Sequence, residues 1–552
     1  MMTSNLKKSF ILSAVLVALV IPSTSIAAGF EYGPQGTHAV GRGGAFTVAA
    51  DDATAIYWNP SRLALFDGTQ ILVNDNMSVL DVSFTRADAR KRRVTQDPLT
   101  QAVTYGDFYD PQPAGFPHQF DPVANTSKVF PLGASLMIAS DFGLKDWGFG
   151  FGVHGPTVVG KVTFPNTFDA SNKYMFSSME ALLLYFDFSA AWKYKEWFGI
   201  GVTMQYIMIP YLKYSMTMMG PAAYTSQNTP VNNSNDIQTD VNVSDWGAFS
   251  MLVGGWARPF AWYKPLKKLE IGFCARVVPI KYSATGDISI SGADESVYKN
   301  YQTKIPGQLS YTYPAHIQTG IRYAFDYNNR EIFDIEVDYV WENWSTLEAF
   351  YMKTLGNFNG PGVTMNPMDI TIPRNFIDTH SVRLGGQYNA IKDWLTVRVG
   401  GWWESGAMPD AYTNLDLPSW DRWGLGLGLS TNIYGFEIAF SYNHIFQESR
   451  EVTDGKITQQ VMYVKTDTDG TPVSDVRPGY VVNNGSYSSS IDVFSFGLSY
   501  KFGGKAKKVE EELPPIMPDT LPLPNPAPAE EGQEAPTGQS AVNPTVETTP
   551  RA

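Results

Sequence analysis

The sequence predicts an all-β protein: a transmembrane antiparallel β-barrel of about 14 strands, an even number in the range of single-chain barrels. A hatch of short helices precedes the barrel and a disordered tail follows it. Three observations lead to this fold. Between residues 68 and 502, large apolar side chains alternate with small or polar ones. The segments joining these stretches alternate between short and long. The face opposite the apolar one carries glycines and charges of both signs.

Residues 1–27 have the pattern of a secretory signal peptide. Lys7 and Lys8 form a basic start, residues 10–21 a short apolar run, and Ser25 and Ala27 the small positions before a cleavage point after Ala27. A spanning helix needs about 20 apolar residues, and no segment reaches that length without charges. The mature chain is therefore expected outside the cytoplasm. Its one cysteine, Cys274, excludes an intramolecular disulfide. A large core or a membrane must then hold the chain together. The net charge of −13 argues against nucleic acid as a partner.

Residues 28–67 do not alternate. They are rich in Gly and Ala, Asp51 or Asp52 can cap a short helix, and Asn59-Pro60 reads as a turn with proline opening a helical turn. Apolar residues such as Phe46, Ile56, Trp58 and Leu63 favour burial of this segment, as a plug inside the barrel. Inward glycines on the strands would make room for it.

The barrel is expected at residues 68–502. Phe333, Ile335, Val337 and Tyr339 alternate with Asp334, Glu336 and Asp338. Leu425, Leu427 and Leu429 alternate with glycines, as do Phe149, Phe151 and Val153. Successive strand side chains point to opposite faces, so each strand has one apolar face. A soluble sandwich shares that property, and the loops separate the two. Short links fall near residues 141–146, 193–196, 326–330, 390–393 and 432–435. Long polar segments lie between them, at 86–128, 218–243, 350–379 and 448–488. Outer-membrane barrels have short turns on one side and long loops on the other. Trp147, Trp197, Trp246, Trp344, Trp394 and Trp423 suit the membrane–water boundary. Residues 503–552 are Pro-rich and charged, a disordered tail. An even strand count places both termini in the periplasm.

At this point the chain resembles the FadL/TodX family of outer-membrane transporters of long-chain fatty acids and aromatic hydrocarbons. The similarity lies in GRGGAFTVAADDATAIYWNP at residues 41–60, in the mature start with Gly29 and Phe30, in WGFGFGVHGP at 147–156, in DYVWENWS at 338–345, and in TVRVGGWW at 396–403 followed by Pro409-Asp410. The resemblance implies a plugged barrel whose hatch includes Gly29, Phe30, Gly41, Arg42, Asn59 and Pro60. It also implies uptake of a hydrophobic ligand with sideways exit into the membrane near a kinked third strand. Gly155 and Pro156 are the candidates for that opening, because proline donates no ladder hydrogen bond and glycine weakens a strand. They also suit the start of a loop. Ser61 replaces the family's usual alanine after Asn-Pro.

No catalytic set stands out, so an enzyme is not expected. The histidines are scattered without metal-ligand spacing, and neither a Gly-x-Ser-x-Gly elbow nor a phosphate loop occurs. No cofactor and no metal are expected. Parity turns Arg276, Arg322, Arg383 and Arg398 inward, along with Asp334, Glu336, Asp338, Glu404, Glu437 and Cys274. Mixed signs suit a salt-bridge lattice holding hatch to wall, because an unpaired buried charge is costly. One arginine left over would suit a ligand carboxylate. Aromatic and Met residues of the long loops, including Phe108, Phe116, Phe120, Met216, Met218 and Met219, could capture an apolar ligand. The expected partners are outer-membrane lipid and a hydrophobic small molecule such as a fatty acid, taken up passively by a monomeric barrel. A general porin and a barrel-anchored surface-interaction protein remain the alternatives.

Overall fold

The computed structural model describes residues 33–87, 93–96, 103–106, 120–130, 133–155, 161–167, 170–223, 236–292, 302–327, 330–360, 363–466 and 472–504. The signal peptide, Gly29, Phe30, Phe108, Phe116, Pro156 and nearly all of the tail lie outside these residues.

Fourteen antiparallel strands close into a barrel. In chain order they are β1 (Thr69–Arg86), β2 (Ser135–Ser140), β3 (Trp147–His154), β4 (Ser178–Tyr194), β5 (Phe198–Ala223), β6 (Asp236–Ala257) and β7 (Leu269–Val278). They continue with β8 (His316–Tyr327), β9 (Arg330–Glu342), β10 (Thr379–Ile391), β11 (Leu395–Glu404), β12 (Arg422–Ile433), β13 (Phe436–Val452) and β14 (Gly485–Phe502). Each pairs with the next, and β1 pairs with β14 from Thr69 opposite Phe502 to Arg86 opposite Gly485. Pro279 interrupts the wall after β7, which resumes as Ile280–Gly292. Gln302–Tyr313 likewise leads into β8 across Pro314. Proline supplies no N–H to a ladder, so each break falls where the sequence must lose a bond.

Parity sorts the side chains as expected. Ile335, Val337, Leu427 and Val399 are about half exposed on the outer face, while Arg276, Arg322, Arg398, Glu336 and Cys274 are buried inside. Trp147, Trp197, Trp246, Trp394 and Trp423 are exposed on the outer wall. Trp344 departs from this set. It is buried, packed against Tyr313 and Phe376, because the chain turns inward after β9 through a short 3-10 helix.

The long segments also depart from expectation. Much of 218–243 is strand, because β5 runs to Ala223 and β6 starts at Asp236. Thr458–Thr466 and Pro472–Val481 pair within 448–488. The wall thus extends beyond the apolar band. The inward face changes character there. In β1, Asn74, Asn76 and Ser78 give way to Leu80, Val82 and Phe84 at the same parity. After β7, Arg276 gives way to Ile280, Tyr282, Ile288 and Ile290. In β5 a register shift against β6 between Ile209 and Leu212 resets the parity, so that Tyr214, Met216 and Met218 face inward. The interior is a polar collar near the short turns and an apolar vault near the long loops.

Candidate functional site

The hatch occupies the collar. It contains α1 (Thr37–Gly41), α2 (Ala55–Trp58) and a 3-10 turn, Pro60–Leu65. These helices are too short to be stable alone, and their apolar residues Ala39, Phe46, Ile56 and Leu63 are fully buried. Inward glycines let the hatch backbone touch the wall. A Cβ on Gly148 would overlap the Leu63 carbonyl, one on Gly400 the Arg42 carbonyl, and one on Gly426 the Val40 carbonyl. Gly43 adopts a φ of +62 and a Cβ there would meet the Gly400 backbone, so glycine is required on both counts.

Charges then fix the hatch. Arg42 is fully buried, with Nη1 2.7 Å from Asp334 and Nη2 3.2 Å from Glu336 of β9. The Glu336 carboxylate also accepts the backbone N–H groups of Val48 (2.6 Å) and Ala49 (2.9 Å). Asp338 accepts those of Phe46 (3.0 Å) and Thr47 (2.9 Å). Alternate residues of one strand thus present three carboxylates to one loop of the hatch. Asn59 caps the 3-10 turn, accepting from Ser61 N at 3.2 Å and Ser61 Oγ at 2.5 Å, while its amide donates to Thr47 O at 2.9 Å and Gly255 O at 3.2 Å. Ser61 therefore adds a bond that alanine could not make. Arg62 lies 3.4 Å from Glu270, which also meets Arg258 and Arg322.

At the short-turn mouth, His38 of α1 places Nδ1 3.0 Å from Asp51 and 3.3 Å from Asp52, and Nε2 2.9 Å from Glu437 of β13. His38, Asp51 and Asp52 have the composition of a metal site. With acceptors on both ring nitrogens the imidazole is held instead as a cation. Burial and Arg398 work against that charge, but Glu437, Asp52 and Asp51 outweigh them and raise the pKa to about 9.

The four inward arginines sort differently. Arg322 pairs with Glu270, Glu331 and Asp334. Arg398 lies 3.7 Å from Glu437 and donates to Ser430. Arg383 reaches Glu404 only at 4.0 Å and borders a polar cavity of ≈ 50 Å³ with Tyr57, His316, Glu404 and Arg422. Arg276 is 2% exposed and has no carboxylate within ion-pair distance among the described residues. Its Nη2 donates to Gln205 at 3.4 Å and its guanidinium lies 4.7 Å from the Tyr313 ring centroid, so its partners are neutral side chains. It sits where the collar ends: the next inward residues of its wall are Ile280 and Tyr282.

Above it, the vault gathers Met175, Met179, Met352 and Met368 with Met216 and Met218, and aromatic residues including Phe120, Tyr214 and Phe350. Phe120, Met216 and Met218 are thus vault residues, two of them on a strand; Met219 packs separately with Val461. The vault is hard to see in the sequence because segments such as 218–243 and 350–379 read as polar loops, although they carry vault residues such as Ile237, Val241, Met352 and Ile370. Alternation at 212–218 and 280–290 was the available signal.

β2 and β3 are the shortest strands of the wall, with 6 and 8 residues. A spanning strand needs about 9–11. β3 ends at His154, and Lys161–Thr163 pairs with β4 farther along. Gly155 stands at this end, and Gln35 of the hatch donates to its carbonyl at 3.2 Å.

The family model for outer membrane protein transport proteins (OMPP1/FadL/TodX) matches residues 18–502. Among solved structures, a Pseudomonas aeruginosa FadL homologue aligns with a TM-score of 0.61 at 15% identity, covering 86% of this chain and 100% of that one. The P. putida toluene transporter TodX aligns at 0.53 and 13%, covering 87% and 100%. The Ralstonia pickettii toluene transporter TbuX aligns at 0.51 and 13%, covering 85% and 98%. No curated protein sequence matches. Members of the matched family are transport channels rather than enzymes. With the hatch seated in a closed barrel and the family match spanning both, the chain belongs to the FadL/TodX family of outer-membrane transport proteins.

Proposed function

We propose that this protein takes up hydrophobic molecules, long-chain fatty acids or related hydrocarbons, by passive diffusion across the bacterial outer membrane. Arg276 carries this reading. A buried guanidinium without an acid costs several kcal/mol of desolvation, and a ligand carboxylate bound bidentately would offset it. The vault adjoining it would hold the apolar tail, stabilised by ~25 cal/mol per Å² of apolar area buried. Methionines there can adapt to tails of different shape. Arg383, beside the polar cavity, is the second candidate for the headgroup; Arg322 and Arg398 serve the ion-pair lattice. Neighbours named as toluene transporters support an apolar cargo class. Exit runs sideways past Gly155 and Pro156, where β2 and β3 leave the wall short. Both termini lie in the periplasm and the barrel works as a monomer.

The hatch weighs against a general porin, whose pore would need an open collar. Purification followed by mass spectrometry of bound lipids tests the proposal. Recovery of fatty acids or hydrocarbons is expected. An empty barrel that conducts ions freely would contradict it. Deleting residues 28–67 should turn the closed barrel leaky.

A further inference from the structure

On the outer wall, away from the hatch and the interior, the side chains of β5 to β9 are uneven in size. Ile200, Gly255, Phe273, Thr319 and Tyr339 stand side by side in register, large alternating with small. One row nearer the short turns, Ala257 stands between Phe198 and Ile271. The Phe273 ring reaches the place where a Cβ on Gly255 would be, so it can lean across β6 only because that residue is glycine. These rows line an apolar groove of ≈ 630 Å³. That volume falls within the ~300–1,000 Å³ of pockets that hold small molecules.

The foot of the groove meets the β6–β7 link, residues 258–268. Arg258 follows Ala257 directly, and the Pro265 carbonyl accepts from the Tyr323 hydroxyl at 2.8 Å, at the outward position next to Ile321 on β8. This link is the longest on the short-turn side. It carries Arg258, Lys264, Lys267 and Lys268 without one acid. The links at 141–146, 193–196, 326–330, 390–393 and 432–435 have net charges no higher than +1. The 193–196 link joins the same surface, because the Arg258 N–H donates to the Trp197 carbonyl at 2.7 Å. The neighbouring acids are already engaged, Glu196 with Lys193 and Arg258, and Asp326 with Lys268. Lys195 and Lys267 are exposed and meet no carboxylate among the described residues. The same links expose Trp197, Phe260, Trp262 and Tyr263, side chains suited to the headgroup layer.

In a membrane, hydrocarbon covers the whole outer wall. Lipid tails are as apolar as the side chains they touch, so the groove by itself favours no particular lipid. The charge on the link does the choosing. We infer that groove and link together bind one anionic glycerophospholipid, with an acyl chain along Gly255 and Thr319 and the phosphate at the lysines of the link. A zwitterionic lipid brings its own cation to the same place and gains less. The site lies on the lipid side of the wall, so it does not need Arg276 and does not compete with cargo inside the barrel.

Native mass spectrometry of the full chain tests the inference, with the protein released from micelles holding equal amounts of dioleoylphosphatidylglycerol and dioleoylphosphatidylethanolamine. One phosphatidylglycerol should stay bound in preference. A lysine near anionic lipid strengthens binding by about fivefold, so Lys267→Gln should weaken phosphatidylglycerol retention by about that factor. Lys264→Gln combined with Lys267→Gln should weaken it further. Lys392→Gln, on another short link, should leave it unchanged. Thr319→Phe should fill the groove and lower retention while keeping the preference for phosphatidylglycerol. Equal retention of the two lipids by the natural chain would overturn the inference. So would equal losses from Lys392→Gln and Lys267→Gln, or a Thr319→Phe variant that holds the lipid like the natural chain. Loss of the lipid on Arg276→Gln would place it inside the barrel instead. A dimer that carries no lipid would give the groove to a second copy of the chain. Either result overturns the inference as well.

Discussion

The collar and the vault are built on the same strands with the same period of two, yet they do opposite things with their inward faces. In the collar the inward positions are glycines and charges; among the described residues Arg42, Arg62, Arg322 and Arg398 each find a carboxylate on a wall strand, and Arg276 does not. In the vault they are Ile, Met, Phe and Tyr, packed upon one another. The lesson is that alternation sets only which face turns inward. What fills that face decides whether the barrel seals or binds.

The contrast can be broken most severely in the collar. Glu336→Ala leaves Arg42 short of one partner and strips the Val48 and Ala49 N–H groups of their acceptor. Such a loss should cost about 3–5 kcal/mol, seen as ion leakage through the barrel in planar bilayers. Unchanged conductance would mean that other contacts hold the hatch. On the outer wall, Leu427→Arg should cost ~2–4 kcal/mol of folding stability in lipid vesicles if its site lies near the midplane. A variant that folds like the natural chain would reverse the assignment of inside and outside.

A smaller effect should come from pH. His38 is raised from its ordinary 6.5 to about 9 by its carboxylate partners, so its stabilising contribution is complete below the ordinary value and is lost as pH rises through about 9. The groups facing it are Asp51 and Asp52 on the hatch, Glu437 on β13 and Arg398 on β11, with Lys501 on β14 acting on Asp51 and Glu437. Holding the hatch should be weaker near pH 10 than near pH 6 by on the order of 1–3 kcal/mol, measured as the temperature at which the barrel begins to leak. His38→Gln should remove that difference. A leak temperature independent of pH in the natural chain would show that the hatch does not depend on the imidazolium.

Much of this was legible in the sequence. Strand number, the identity of the third strand, the inward set of arginines and carboxylates, and the need for inward glycines beside a plug all follow from alternation and loop length. Trp344 and the segment 218–243 did not. Trp344 follows Asn343 at the end of a well-marked strand, and nothing local says that the chain folds inward rather than outward there. Residues 212–218 do alternate, but a register shift in β5 breaks their phase from the lower half of the same strand, so one continuous strand reads as two segments. The pairing of Arg276 was equally hidden. Four inward arginines look alike by parity, and only the three-dimensional neighbours show that Arg322 and Arg398 are matched while Arg276 is not.

Arg276 is the point where collar chemistry meets the apolar vault. The most direct measurement is crystallographic: a complex with dodecanoate brominated at its terminal carbon, located by anomalous scattering. The carboxylate should lie against Arg276 and the bromine inside the vault, among Met218, Ile290 and Phe350. Bromine signal confined to the outer wall or the loops, with nothing bound at Arg276, would contradict it.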